Sequence, residues 1–173
     1  MGAELLIETL AGLAAGRLSP RRQDDGHATF APRVQKADAA LDWELAAPAL
    51  ANRIRAFSPA PVAFTALAGD AEEGKGELLR IHRAAADIGT PPANGFTPGS
   101  FRIAGSRRAP RLAVTCGEGS TLWPLDVQAA GRRRMPIEDF LRGRVLAAPI
   151  GEQGTPVGRF LGAAQAARLA EAQ

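Results

Sequence analysis

Leu112-Ala113-Val114-Thr115-Cys116-Gly117-Glu118-Gly119-Ser120-Thr121-Leu122-Trp123-Pro124-Leu125-Asp126-Val127 carries a glycine-rich turn between two apolar runs. Two apolar runs, 112–115 and 121–127, flank Cys116-Gly117-Glu118-Gly119, where glycine can supply the positive φ of a tight turn. The stretch therefore reads as a hairpin. Upstream, the same texture recurs in runs 62–67, 78–82 and 100–103. Between them stand Ala68-Gly69-Asp70, Pro91-Pro92-Ala93-Asn94-Gly95 and Pro98-Gly99, all turn chemistry. Five short strands punctuated by Gly and Pro predict a small antiparallel sheet or barrel.

Helices flank the strands. Leu5, Leu6, Leu10 and Leu13 recur at helical spacing over 3–15, and Gly16 stands where a glycine would end that helix. Its apolar face needs cover, yet residues 17–27 are polar and read as a linker, which points to a covering partner outside this chain. Leu45, Leu50, Ile54 and Phe57, with Pro48 in a first turn, predict a second helix over 46–57, stopped by Ser58-Pro59-Ala60-Pro61. A short helix follows Pro136, residues 151–156 read as a mobile connection, and 157–171 as an Ala-rich tail helix.

The composition narrows the function classes. A chain of 173 residues suits one modest domain with extra segments. The 46% hydrophobic share includes only 5% aromatics, so the core is built mainly from Leu, Ile, Val and Phe. No apolar run approaches membrane-spanning length, and residues 1–18 carry Glu4 and Glu8 without a basic leader. Cys116 is the single cysteine, which excludes an intrachain disulfide and a thiolate metal site and makes the cytoplasm the default location.

Catalytic signals are weak. His27 and His82 are isolated, whereas a metal site needs three or four converging ligands. Cys116 has no evident activating base, and no serine sits on a strand-to-helix glycine elbow. Gly117 and Gly119 mimic part of a phosphate loop but lack its lysine and following helix. What remains is basic. All but two of the 21 basic residues are arginine, the exceptions being Lys36 and Lys75, and arginine presents a planar donor fork to phosphate. Arg132-Arg133-Arg134 lies between a strand and a Pro-initiated helix, where three cations on a short loop can meet consecutive phosphates. Arg33, Lys36, Arg53, Arg55, Arg142 and Arg144 can extend the patch. Arg53 and Arg55, two apart on a helix, cannot both face one ligand.

The order of these residues resembles the methionyl-tRNA formyltransferase family. The likeness runs through Gln23-Asp24-Asp25, Ala28-Thr29-Phe30-Ala31-Pro32-Arg33-Val34, Lys36, Asp38 and Leu41-Asp42-Trp43. It continues through residues 54–61, Pro98-Gly99, Thr115-Cys116-Gly117-Glu118-Gly119, Gly131-Arg132-Arg133-Arg134-Met135 and Asp139-Phe140-Leu141-Arg142-Gly143-Arg144. Phe30, Ser58 and Ala60 depart from the family's usual tyrosine, asparagine and tryptophan.

The resemblance covers the family's linker and carboxy-terminal domain. It implies a mainly β fold with flanking helices, a small OB-like β-barrel, over residues 28–145. An interdomain helix and linker at 1–27 precede it and a partly helical tail at 146–173 follows. It also implies that formyl transfer from 10-formyltetrahydrofolate to methionyl-initiator tRNA is performed by a catalytic domain whose motifs are not in this sequence. This chain alone is then inactive, binds no cofactor or metal, and has no catalytic residue. It is expected to bind initiator tRNA through Arg132, Arg133 and Arg134, with Lys36, Arg33 and Arg53 secondary. The alternatives are a subunit that docks a separately encoded catalytic domain on its first helix, with Leu6, Leu10 and Leu13 as the interface, or an inactive relic. A truncation, a split gene or a mis-called start would each account for the beginning at Met1.

Overall fold

A computed structural model describes residues 2–68, 76–89, 96–106, 108–143 and 158–172. The chain divides into two compact units, Met1–Arg33 and Val34–Gln173. The first holds helix α1 (Gly2–Ala14), which ends at Gly16 with φ +66°, where the Arg17 N–H reaches back to the Gly12 carbonyl at 2.9 Å. Leu5, Leu6, Ile7, Leu10 and Leu13 are exposed on it.

The second unit is a small antiparallel β-barrel with flanking helices. Its strands are β1 (Phe64–Ala68), β2 (Gly76–Asp87), β3 (Ser100–Gly105), β4 (Pro110–Thr115), β5 (Thr121–Ala129), β6 (Met135–Pro136) and β7 (Gly158–Arg159). They are ordered β1-β2-β5-β4-β3-β7, with β6 paired to β5. The sheet returns on itself beyond β7: Leu67 bridges to Phe160, and the Leu161 N–H donates to the Ala66 carbonyl at 2.8 Å. Closure of this kind removes the exposed edges of an open sheet. Register shifts between Ile81 and Arg83 and between Arg83 and Ala84 mark a bulged stretch of β2, a feature that bends and twists a strand as barrel curvature requires.

All five strands expected from the sequence are present, and β2 runs five residues past its expected end at His82. The β4–β5 turn has positive φ at both Glu118 (57°) and Gly119 (66°), the geometry that suits a tight hairpin. The expected turns at 69–70 and 91–95 and the connection at 151–156 lie outside the described residues.

Helices α2 (Ala47–Ala56), α3 (Ile137–Gly143) and α4 (Ala163–Glu171) cover the barrel. Gly117 seats α2. A Cβ there would lie 1.9 Å from the Glu44 carbonyl oxygen, so only glycine lets the two backbones approach. The Gly117 N–H donates to the carbonyls of Trp43 (2.9 Å) and Leu45 (3.0 Å). Ser120 completes the seat: its hydroxyl donates to the Gly117 carbonyl (2.7 Å) and accepts from the Ala47 N–H (2.8 Å). One of the donors left orphaned at the start of a helix is thereby satisfied by a side chain distant in sequence. Leu50 and Ile54 then enter the core.

The tail is partly helical, as the sequence reads, but the helix expected over 157–171 begins only at Ala163, and the residues before it form β7, which pairs with β3. The physical reason is Phe160, which is 2% exposed and sits between Trp43 (5.3 Å between ring centroids, 16° apart) and Phe101 (4.9 Å). Residues Ala166 and Ala170 of α4 bury against Phe64, Ala66 and Leu78 in a second cluster. A large-to-small change at the centre of such a stack removes transfer energy and leaves a cavity. Phe160→Ala is expected to lower stability by about 3–5 kcal/mol, read as the shift of the urea midpoint at unchanged slope.

Candidate nucleic-acid interface

The pairing of β2 with β5 sorts the side chains of those strands. Leu79, Ile81 and Val127 point into the core, and Arg80, His82 and Gln128 take the opposite face, Arg80 standing across from Gln128. Past the bulge Arg83 stands across from Asp126. The turn that follows β5 carries Arg132, Arg133 and Arg134, all exposed, before β6 returns along β5. Arg80, Arg83 and the arginine turn therefore share one outer face.

That turn is held at both ends. The Arg132 N–H donates to the Ala129 carbonyl (3.1 Å), and Gln128 Nε2 donates to the Arg132 carbonyl (2.8 Å) while its Oε1 meets His82 Nε2 at 3.1 Å. The Arg134 guanidinium lies 2.6 Å from Asp126 Oδ2, which also pairs with Arg83 at 3.3 Å. Neither Arg132 nor Arg133 has an ion-pair partner among the described residues.

Lys36 reaches the same region. It stands on the short 3-10 turn Lys36–Ala39, and its ammonium donates to the Ala170 carbonyl, close to the end of α4, where a cation is favoured. A recess of about 220 Å³ is lined by Lys36, Leu78, Arg80, Ala130 and Gly131, which joins the lysine to the start of the arginine turn. Lys36 thus shares a recess with Arg80 and with Gly131, the residue that precedes the three arginines.

The remaining candidates go elsewhere. Arg53 is half-buried on α2; its guanidinium donates to the Asp38 carbonyl and lies 5.2 Å over the Phe57 ring, so it serves the packing of α2. Arg33 is exposed at the end of the first unit. Arg55 donates to Asn52, and Arg142 is bound to Asp139 (2.8 Å), Glu138 (3.7 Å) and the Arg108 carbonyl (2.6 Å). Arg144 lies outside the described residues. Sequence reading missed Arg80 and Arg83, although the alternation Leu79-Arg80-Ile81-His82 carried the signal that Arg80 faces away from the core.

The family described as formyl transferase, C-terminal domain, matches residues 33–145. The chain belongs to that family. It is 44% identical over 147 residues to a methionyl-tRNA formyltransferase of Methylococcus capsulatus, covering 85% of this chain and 43% of that protein. The methionyl-tRNA formyltransferase of Acidobacterium capsulatum is 39% identical over the same length and shares, and that of Synechococcus sp. is 42% identical over 143 residues, 82% of this chain and 41% of its own. The chain spans somewhat under half the length of the curated relatives it matches.

The outer β2–β5 face of this formyl transferase C-terminal domain carries the exposed guanidinium groups of Arg80, Arg83 and Arg132 to Arg134. Among the described residues no three His, Cys, Asp or Glu side chains converge as a metal site would need, and no helix is long and apolar enough to cross a membrane. Cys116 is buried, with its thiol donating to the Val114 carbonyl at 3.5 Å. Burial pushes that thiol from its ordinary 9.0 up to about 12, against a smaller lowering by a backbone hydrogen bond from Leu122. A neutral thiol is a poor nucleophile. In the folded protein alkylation of Cys116 at pH 8 is expected to run roughly a hundredfold or more slower than in the unfolded chain. Because the folded value is raised, this group's contribution is intact below pH 9.0 and is lost as pH rises from 9.0 towards about 12. Stability measured across that window should fall, by less in Cys116→Ala.

Proposed function

We propose that this domain binds the tRNA substrate of a methionyl-tRNA formyltransferase in the cytoplasm, while the rest of such an enzyme transfers the formyl group. The reading rests on one observation: a contiguous cationic face made by β2, the turn after β5 and Lys36, on which Arg132 and Arg133 are uncommitted among the described residues. The printed names of the relatives add the substrate class, methionyl-tRNA.

Such a face binds a phosphate backbone by releasing its counterions, and it positions the ligand rather than reacting with it. Guanidinium groups suit the task because their planar forks match phosphate oxygens and stay charged at any physiological pH. In this role the domain orients the aminoacylated end, from which the methionyl amino group attacks the formyl carbon of a folate donor bound elsewhere. Arg132, Arg133 and Arg134 are the principal phosphate ligands, with Arg80 and Lys36 at the adjoining recess.

The test is binding of purified chain to initiator tRNA across a salt series with duplex DNA as competitor. Affinity falling steeply with salt, and preferring the tRNA, is the expected result. Arg133→Glu should weaken binding roughly tenfold at low salt and flatten the salt slope by about 1. An Arg133→Glu protein with unchanged affinity and slope would remove the arginine turn from the interface.

A further inference from the structure

One carboxylate stands among the arginines of the β2–β5 face. Asp126 is 18% exposed, and a single oxygen, Oδ2, receives Arg134 at 2.6 Å and Arg83 at 3.3 Å. The two guanidinium groups come from different elements, Arg83 from the bulged stretch of β2 and Arg134 from the end of the turn. Gln128, two residues along the same face of β5, holds the turn at its other end through the Arg132 carbonyl. The arginine turn is therefore suspended from two points of one strand.

A negative charge here opposes a polyanion, and its removal by itself would strengthen binding of any nucleic acid. The geometry gives it another effect. Arginine has five donors, so engagement with one carboxylate oxygen leaves most of its fork available. Exposed arginines otherwise lose rotamer freedom on meeting a ligand, and a side chain already fixed in the free protein avoids that cost. We propose that Asp126 is a positioning residue: it fixes Arg83 and Arg134 and, with Gln128, the course of the turn, so that phosphates spaced along a folded RNA meet cations already in place. This rests on the RNA-binding reading above.

The two effects of Asp126 have opposite signs, which makes Asp126→Asn decisive. The substitution preserves size and removes one negative charge. Glu118→Gln, in the exposed β4–β5 turn away from the arginines, changes net charge equally and serves as the control. Binding to initiator tRNA and to duplex DNA is measured for the wild-type chain and both variants, with thermal midpoints to confirm folding.

The expected result is that Asp126→Asn binds tRNA on the order of tenfold more weakly despite its added positive charge, and loses preference for tRNA over duplex DNA. Asp126→Glu should recover part of the loss, and Glu118→Gln should bind as tightly as wild type or slightly tighter. If Asp126→Asn binds tRNA as tightly as Glu118→Gln, the carboxylate is only a counter-charge and the inference is overturned. Wild-type chain showing no salt-sensitive tRNA binding overturns the RNA-binding reading itself, and this inference with it. If Asp126→Asn proves unstable, Arg83→Gln decides: retained tRNA affinity there contradicts the proposal, and loss with an unchanged thermal midpoint supports it.

Discussion

The packing of Phe160 between Trp43 and Phe101 is the contact on which the rest of the barrel depends. The three rings come from the approach to α2, from β3 and from the segment after β7, so a single cluster ties the two ends of the domain to its middle. Aromatic pairs in such geometries add about 0.5–1.5 kcal/mol beyond the area they bury. The Trp43 indole N–H finds Thr65 Oγ1 at 3.1 Å, which satisfies the one polar atom that the cluster takes out of water. Barrel closure through Leu67, Phe160 and Leu161 follows from that placement, since the backbone carrying Phe160 is brought alongside β1.

Closure in turn fixes which side chains face outward. With Leu79, Ile81 and Val127 fixed inward, alternation leaves Arg80, His82 and Gln128 no option but the outside. The hairpin between β4 and β5 contributes from the opposite side by holding the start of α2 through Gly117 and Ser120. The glycines that mimic a phosphate loop are thus explained by a close backbone approach and a turn of positive φ. The outward arginines of β2 and of the turn after β5 thus stand on a scaffold of apolar packing and hydrogen bonds.

Much of this was legible in the sequence because local signals and tertiary structure agree. Gly117 to Gly119 announced the hairpin, and the runs around Phe64, Leu79, Phe101, Val114 and Leu122 announced strands. Two features were hidden for identifiable reasons. Gly158 and Arg159 form a strand of two residues, too short for any periodicity, and Phe160 is buried by partners distant in sequence. Arg53 looked like its basic neighbours, since a sequence does not reveal that its fork meets the Asp38 carbonyl and the Phe57 ring. The grouping of Arg83 with Asp126 and Arg134 depends on a bulge that shifts the register of β2, which no residue pattern marks.

In the proposed function one face of the barrel, and not the molecule's charge at large, meets RNA. Titration of isotope-labelled chain with initiator tRNA, followed by amide chemical shifts, tests it most directly. The largest changes are expected on Arg80, Arg83, Gln128 and the turn Arg132 to Arg134, with Arg102 of β3 and Arg159 of β7 unmoved. Changes spread evenly over every arginine, or centred on β3 and β7, would contradict it.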